Sequence, residues 1–145
     1  MTISQFHLQD LDRILAIEKE AFGRRAWSAD LFRQYAAEGS HLFLVAKVGS
    51  TIAAYSITRT TGNRAELDSI AVAKRFRNRG IGNAFLSSVI RKLKRTGCET
   101  LSLMVRRDNE AAIRFYRSLG FRRIRTVPKY YEGGETGWRM QLVLR

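Results

Sequence analysis

The sequence predicts a mixed α/β fold: one sheet, mostly antiparallel, with helices covering its faces. Two strand-like runs, HLFLVAKV (41–48) and TIAAYSIT (51–58), are separated only by Gly49-Ser50, which makes a hairpin and an antiparallel pair. Further on, a strand at 64–73, a helix at 81–96 and a strand at 99–105 follow one another. That crossover is long enough to bring two strands parallel, with the right-handed connection such units take. The complete order is helix, helix, three strands, helix, strand, helix, two strands. Strands and helices do not alternate throughout, so a doubly wound parallel sheet is excluded.

The elements follow from periodicity and punctuation. Residues 8–22 place Leu11, Ile14, Leu15, Ala21 and Phe22 near one helical face, and Gly23-Arg24-Arg25 interrupts them. Ser28 can cap a second helix carrying Leu31, Phe32 and Tyr35. After the hairpin, Thr61-Gly62-Asn63 turns the chain into RAELDSIAVA (64–73). The helix at 81–96 shows an apolar stripe of Phe85, Leu86, Val89, Ile90 and Leu93, with cations near its C-terminal end and Gly97 as its stop. ETLSLMV (99–105) puts Leu101, Leu103 and Val105 on one face of a strand. Asn109 can cap a helix reaching Leu119, ended by Gly120. FRRIRTV (121–127) and GWRMQLVL (137–144) are the last strands, flanking PKYYEGGET.

A chain of 145 residues fits a single domain, here 1–145, and there are no internal repeats. Apolar residues make up 45% and charged residues 27%, a globular composition that excludes intrinsic disorder. No apolar run approaches the roughly 20 residues of a membrane span. The start MTISQFHLQDLDRI lacks a charged segment followed by an apolar one, so a cytoplasmic address without membrane attachment is expected. Cys98 is the sole cysteine, which excludes an internal disulfide and a Cys-cluster zinc site. Its place after Gly97 reads as packing. His7 and His41 are the only histidines and read as structural or surface residues, so no metal is expected.

Charge is the unusual quantity, with 26 Lys+Arg against 13 Asp+Glu and a net +13. Residues 1–73 hold eight of each sign, so the whole excess lies in 74–145. From Lys74 to Arg95 there are eight basic side chains and no acidic one. Such a block attracts a phosphorylated cofactor, nucleic acid or an acidic surface, or is simply a solvated basic face.

The segment SIAVAKRFRNRGIGNAF (69–85) discriminates among these. A strand enters a basic loop, then Gly80-Ile81-Gly82 at a helix start. Glycines let the backbone approach a ligand, and N–H groups at a helix N-terminus face an anion. Arg75, Arg77 and Arg79 lie nearby, which is chemistry suited to a pyrophosphate. A dinucleotide fingerprint needs a third glycine where Phe85 sits, and a Walker loop needs Gly-Lys-Ser/Thr, which is absent.

Arg77-x-x-Gly80-x-Gly82 resembles the Q/R-x-x-G-x-G/A acetyl-CoA signature of the GNAT N-acetyltransferase superfamily. Asn109 to Phe121 is similar to its second motif, N-x-x-A-x-x-x-Y-x-x-x-G-F. Ala21-Phe22, Trp27-Ser28 and Leu31-Phe32, with Tyr130-Tyr131 in the C-terminal loop, resemble the branch that acetylates ribosomal-protein alanine N-termini. The resemblance implies a GNAT fold in which strands 64–73 and 99–105 splay around the pantetheine arm of acetyl-CoA. Ile70, Ala71 and Val72 would offer it backbone groups, and one N–H there would polarise the thioester carbonyl. Arg77, Asn78, Arg79, Gly80, Ile81, Gly82 and Asn83 would hold the pyrophosphate, with Asn109 and Tyr116 as further cofactor contacts.

Single residues carry a plain reading beside the functional one. Tyr116 is a core tyrosine by spacing and a general acid for the departing thiolate by resemblance. Asn109 is a helix cap or also a cofactor contact. Glu66 and Asp68 alternate onto one strand face as solvated carboxylates or as a general base for an ammonium group. Phe22, Trp27, Tyr130 and Tyr131 are core or substrate groove. The branch usually carries a catalytic glutamate where this chain has Met104, and methionine accepts no proton.

The resulting expectation is acetyl transfer from acetyl-CoA to a protein N-terminal α-amino group, by direct attack in a ternary complex. A ribosomal protein is one acceptor the resemblance implies. The rivals are a small-molecule amine acetyltransferase, an acyl-CoA sensor, and a nucleic-acid- or ribosome-binding module using the RFRNR patch. That module lacks a recognition helix or stacking aromatics, so nucleic-acid binding is expected to be non-specific at most.

Overall fold

The computed structural model describes residues 1–38 and 41–144, with no description of the His41 side chain, so the reading of that histidine lies outside it. The chain begins with a strand the sequence did not announce, β1 (Thr2–Gln5). Four residues carry too little alternation to be legible; β1 exists because it pairs antiparallel with the next strand. A 3-10 turn leads into α1 (Leu11–Phe22), and Ser28 caps α2 (Ala29–Ala37) by accepting from the Leu31 N–H at 3.2 Å. Then come β2 (His41–Val48), β3 (Thr51–Thr61) and β4 (Arg64–Val72). A 3-10 turn at Lys74–Phe76 precedes α3 (Ile81–Arg95), followed by β5 (Thr100–Arg106). Asn109 caps α4 (Glu110–Ser118), and β6 (Arg122–Val127) and β7 (Gly137–Val143) complete the order.

Among the described residues the strands form one seven-stranded sheet in the order β1-β2-β3-β4-β5-β7-β6. The β4–β5 pair is parallel and all other neighbours are antiparallel, as the sequence predicts. The insertion of β7 between β5 and β6 makes β6 an edge, and its residues are largely exposed.

A core lies on each face. Phe85, Leu86, Val89, Ile90 and Leu93 of α3 and Ile113 of α4 pack with Leu101, Leu103 and Val105 of β5. On the opposite side Leu11, Ile14 and Ile17 of α1 and Phe32 of α2 meet Phe43, Val45, Tyr55 and Ile57. β3 is buried over most of its length because it feeds both cores. Cys98 is buried in the first core, consistent with packing. His7 is exposed, and its backbone N–H donates to the Asp10 carboxylate at 2.9 Å.

Two features of β4 position the site. It pairs with β5 only through Arg64–Glu66, opposite Thr100–Ser102, and beyond that the strands separate. It also carries a β-bulge against β3: Leu67 faces Thr58 and Ser69 faces Ile57, which leaves Asp68 as the extra residue. Ala65 and Leu67 therefore join the α3-side core, while Ala71 joins the α1-side core.

Candidate active site

The gap between β4 and β5 opens into two adjoining clefts that share Ala21, Phe22, Ile70, Ala112 and Tyr116 in their walls. The first, about 460 Å³, runs from Ile70-Ala71-Val72 to the start of α3. Arg77, Asn78, Gly80, Ile81, Gly82 and Asn83 line it, as does Phe115 of α4. Gly80 is the N-cap of α3 with φ +77°, a left-handed conformation that glycine takes without a Cβ penalty. Asn78 is also left-handed, at φ 61°. No side chain caps α3, and its first turn holds no acidic residue. The leading N–H groups of a helix have no intrahelical acceptor, and here they carry the positive end of the dipole toward the cleft. Arg77 donates from Nε to the Val72 carbonyl at 3.0 Å, which ties the loop to the strand end. A phosphorylated cofactor fits this set of donors.

Two residues expected on the cofactor do not line this cleft. The Arg79 guanidinium stands 5.8 Å from the Phe76 ring, and Arg75 is also over that ring, at 4.8 Å. Asn109 lines the second cleft, while its Oδ1 accepts from the Ala112 N–H at 3.2 Å as a helix cap.

The second cleft, about 480 Å³, is bounded by Leu67–Ile70 of β4, Leu103–Arg106 of β5, and the chain between α1 and α2. Phe22, Trp27 and Tyr131 line it; Tyr130 does not, being half exposed and set edge-on to Tyr131 at 4.9 Å. Arg25 and Arg106 also line it; Arg25 donates to Glu135 Oε1 at 3.1 Å and Arg106 stands in an ion pair with the same oxygen at 3.1 Å, which joins the α1–α2 connection to the β6–β7 loop. Tyr116 reaches both clefts, and burial followed by the neighbouring Tyr131 pushes its hydroxyl up to about 12. It stays protonated at any working pH, as a proton donor requires.

The carboxylates proposed from the strand pattern have other partners. Glu66 lines neither cleft, and its two oxygens accept from Arg139 at 2.9 and 3.2 Å. Asp68 does line the second cleft, but Arg59 donates to both of its oxygens and the Tyr35 hydroxyl donates at 2.9 Å. Met104 of β5 lines the same cleft.

The carboxylate that the sequence reading missed is Glu18. It belongs to the wall of the second cleft yet is only 1% exposed. Its Oε2 accepts from the Trp27 N–H at 2.8 Å and its Oε1 from the Tyr55 hydroxyl, which also contacts Ser69 Oγ at 3.2 Å. Burial pushes the Glu18 carboxyl up to about 7, against the lowering effect of the Trp27 N–H. The missed signal was positional: Glu18 falls one turn from both Ile14 and Ala21 on the apolar face of α1, where a charge is out of place.

Among the described residues no group of three His, Cys, Asp or Glu side chains could hold a metal ion, and no helix is long and apolar enough to cross a membrane.

A sheet that splays at one parallel pair, with an anion-receiving helix start on one side and a cleft bearing a tyrosine on the other, defines a two-substrate transferase architecture. The chain belongs to the acetyltransferase (GNAT) family, whose sequence model matches residues 8–121. It is 35% identical over 130 residues to the ribosomal protein bS18 alanine N-acetyltransferase of Escherichia coli strain K12, covering 90% of this chain and 86% of that one. The crystal structure of the corresponding Escherichia coli enzyme superposes with a TM-score of 0.90 at 33% identity, over 99% of this chain and 93% of the other. An uncharacterised N-acetyltransferase of Methanocaldococcus jannaschii is 32% identical over 136 residues, 93% of this chain and 86% of the relative. The protein is an N-acetyltransferase with the GNAT fold, as its motifs implied.

Proposed function

We propose that the enzyme transfers the acetyl group of acetyl-CoA to the α-amino group of a polypeptide N-terminus. The meeting of the two clefts at Tyr116 and Ile70 carries this reading. Acetyl-CoA supplies an acetyl thioester, whose pyrophosphate suits Arg77 and the uncapped start of α3. Strand β4 has backbone groups free of β5 beyond Glu66, available to an extended arm along Ile70–Val72. The second cleft admits the acceptor between Phe22, Trp27 and Tyr131. The amine attacks the thioester carbon directly, and Tyr116 donates the proton that the departing thiolate needs. Cys98 is buried away from both clefts, so no cysteine stands ready for an acyl-enzyme.

The named activity of the Escherichia coli relative supports a protein N-terminus, a ribosomal protein among them, as acceptor. Acetyl-CoA and newly made polypeptides meet in the cytoplasm, the address this reading takes. The deciding experiment incubates the protein with acetyl-CoA and a panel of peptides with free N-termini, the same peptides blocked at the N-terminus but bearing lysine, and small amines. Mass spectrometry should find acetyl on the α-nitrogen of one peptide class. Acetylation confined to small amines would overturn the polypeptide assignment.

A further inference from the structure

We infer that Glu18 is the terminal proton acceptor for the incoming ammonium group, reached from the acceptor cleft through the Ser69 and Tyr55 hydroxyls. The inference rests on the reading of the protein as an amine acetyltransferase.

Hydrogen-bond polarity sets the direction. Both Glu18 oxygens act as acceptors, one from the Trp27 N–H and one from the Tyr55 hydroxyl. With its own proton directed at Glu18, Tyr55 Oη can only accept from Ser69, at 3.2 Å. Ser69 lines the acceptor cleft, whereas Tyr55 is fully buried. The donors thus point from the cleft inward, ending at a carboxylate that water does not reach. The bulge at Asp68 sets this geometry, since it shifts the alternation of β4 so that Ser69 and Ala71 turn to the α1 side, where Leu67 before it faces the α3 side.

Proton and charge balance without a further reagent. The ammonium nitrogen gives its proton to Ser69 Oγ, the Ser69 proton passes to Tyr55 Oη, and the Tyr55 proton passes to Glu18 Oε1. The products are a neutral amine and a neutral Glu18. When the cleft empties, the same chain run backwards returns the proton to water.

The surroundings keep Glu18 from being held as an anion. Of the cations lining the cleft, Arg25 and Arg106 are both engaged with Glu135, and Asp68 is held by Arg59 and Tyr35. Tyr116 and Tyr131 complete the titratable groups of that cleft, both pushed upward by burial and neutral near pH 7. On its own helix, the neighbouring Lys19 and Glu20 are exposed. An acceptor near 7 lies about one unit below an α-ammonium and about three below a lysine. The uphill transfer is therefore about 10-fold for the first and about 1000-fold for the second, so the relay favours N-terminal acceptors.

The test measures kcat/KM against pH for the wild type, Glu18→Gln, Tyr55→Phe and Ser69→Ala, with two acceptors. One is a peptide with an ordinary N-terminus; the other carries an aminooxy group, which is unprotonated near neutral pH. With the ordinary peptide, Glu18→Gln and Tyr55→Phe should lose on the order of 10²-fold near neutral pH and recover as pH rises. With the aminooxy peptide they should stay within a few-fold of wild type. In parallel, carbon-13 NMR of glutamate carboxyls should show one resonance titrating near neutral pH, absent in Glu18→Gln and displaced in Tyr55→Phe. Unchanged pH profiles, or equal losses with both acceptors, would overturn the relay while leaving the acetyltransferase reading standing. Should Glu18→Gln fail to fold, Tyr55→Phe and Ser69→Ala decide by the same criteria. A wild type that acetylates no amine would remove both readings together.

Discussion

At the scale of single residues, burial decides which groups hold protons. Tyr116 lies between the clefts with its hydroxyl pushed up to about 12, so it keeps its proton at neutral pH. Tyr116→Phe keeps the ring and its contact with Phe121 at 5.6 Å while removing the proton. Turnover should fall on the order of 10²-fold, with acetyl-CoA affinity by calorimetry nearly unchanged. Glu18 makes a second prediction, this time about stability. Its carboxyl is raised from 4.5 to about 7 in the folded state, so folding favours the protonated form. The stability this contributes is complete below pH 4.5 and is lost as pH rises through 7. Relative to Glu18→Gln, the wild type should therefore lose about 3 kcal/mol in urea titrations across that window. A constant difference between the two proteins would mean that Glu18 is ionised throughout.

At the scale of elements, the start of α3 and the bulge in β4 do the positioning. Gly80 adopts φ +77°, and a Cβ added there would meet nothing within 4 Å, so a side chain is opposed by backbone strain rather than by a clash. Gly80→Val should cost about 1 kcal/mol or more and raise the dissociation constant of coenzyme A, measured by calorimetry on the folded variant. At Gly82 an added Cβ would sit 3.5 Å from both Phe115 and Val72, an ordinary contact, so Gly82→Ala should be milder. The bulge leaves only a faint compositional mark: Asp68 and Ser69 put two polar residues in succession, which breaks plain alternation without specifying how the chain accommodates it. Only the register of β3 against β4 creates it, and with it the approach of Ser69 to Tyr55.

At the scale of the whole molecule, the net charge of +13 is spread more widely than the cofactor cleft. Of the basic block 74–95, only Arg77 lines that cleft. Arg91, Lys92, Lys94 and Arg95 follow the start of α3 by ten to fourteen residues, roughly 15–21 Å along the helix. That exceeds the Debye length of about 8 Å at physiological salt. Replacing these four with glutamine should leave the coenzyme A dissociation constant within about two-fold at that salt, whereas Arg77→Ala should raise it clearly. Elsewhere Arg117 and Arg123 flank the Trp138 ring at 5.7 and 4.8 Å. Filter binding should find at most loose, salt-sensitive adhesion of nucleic acid to such surface cations, with no preference among sequences.

By itself the sequence determined what neighbouring residues control: the helix starts and stops, the hairpin at Gly49-Ser50, the parallel crossover, and the loop from Arg77 to Asn83. Those are consequences of backbone conformation and short-range pattern, and that loop, Arg79 excepted, lines the first cleft. It did not determine β1, the placing of β7 between β5 and β6, or the fate of the carboxylates. Glu66 is taken by Arg139, 73 positions away, and Glu18 meets Tyr55 from 37 positions away. A proton acceptor is made by what surrounds it: burial raises its affinity for a proton, and an arginine beside it fixes the charge. Residues distant in the chain supply those surroundings, so only the tertiary structure separates Glu18 from Glu66 and Asp68.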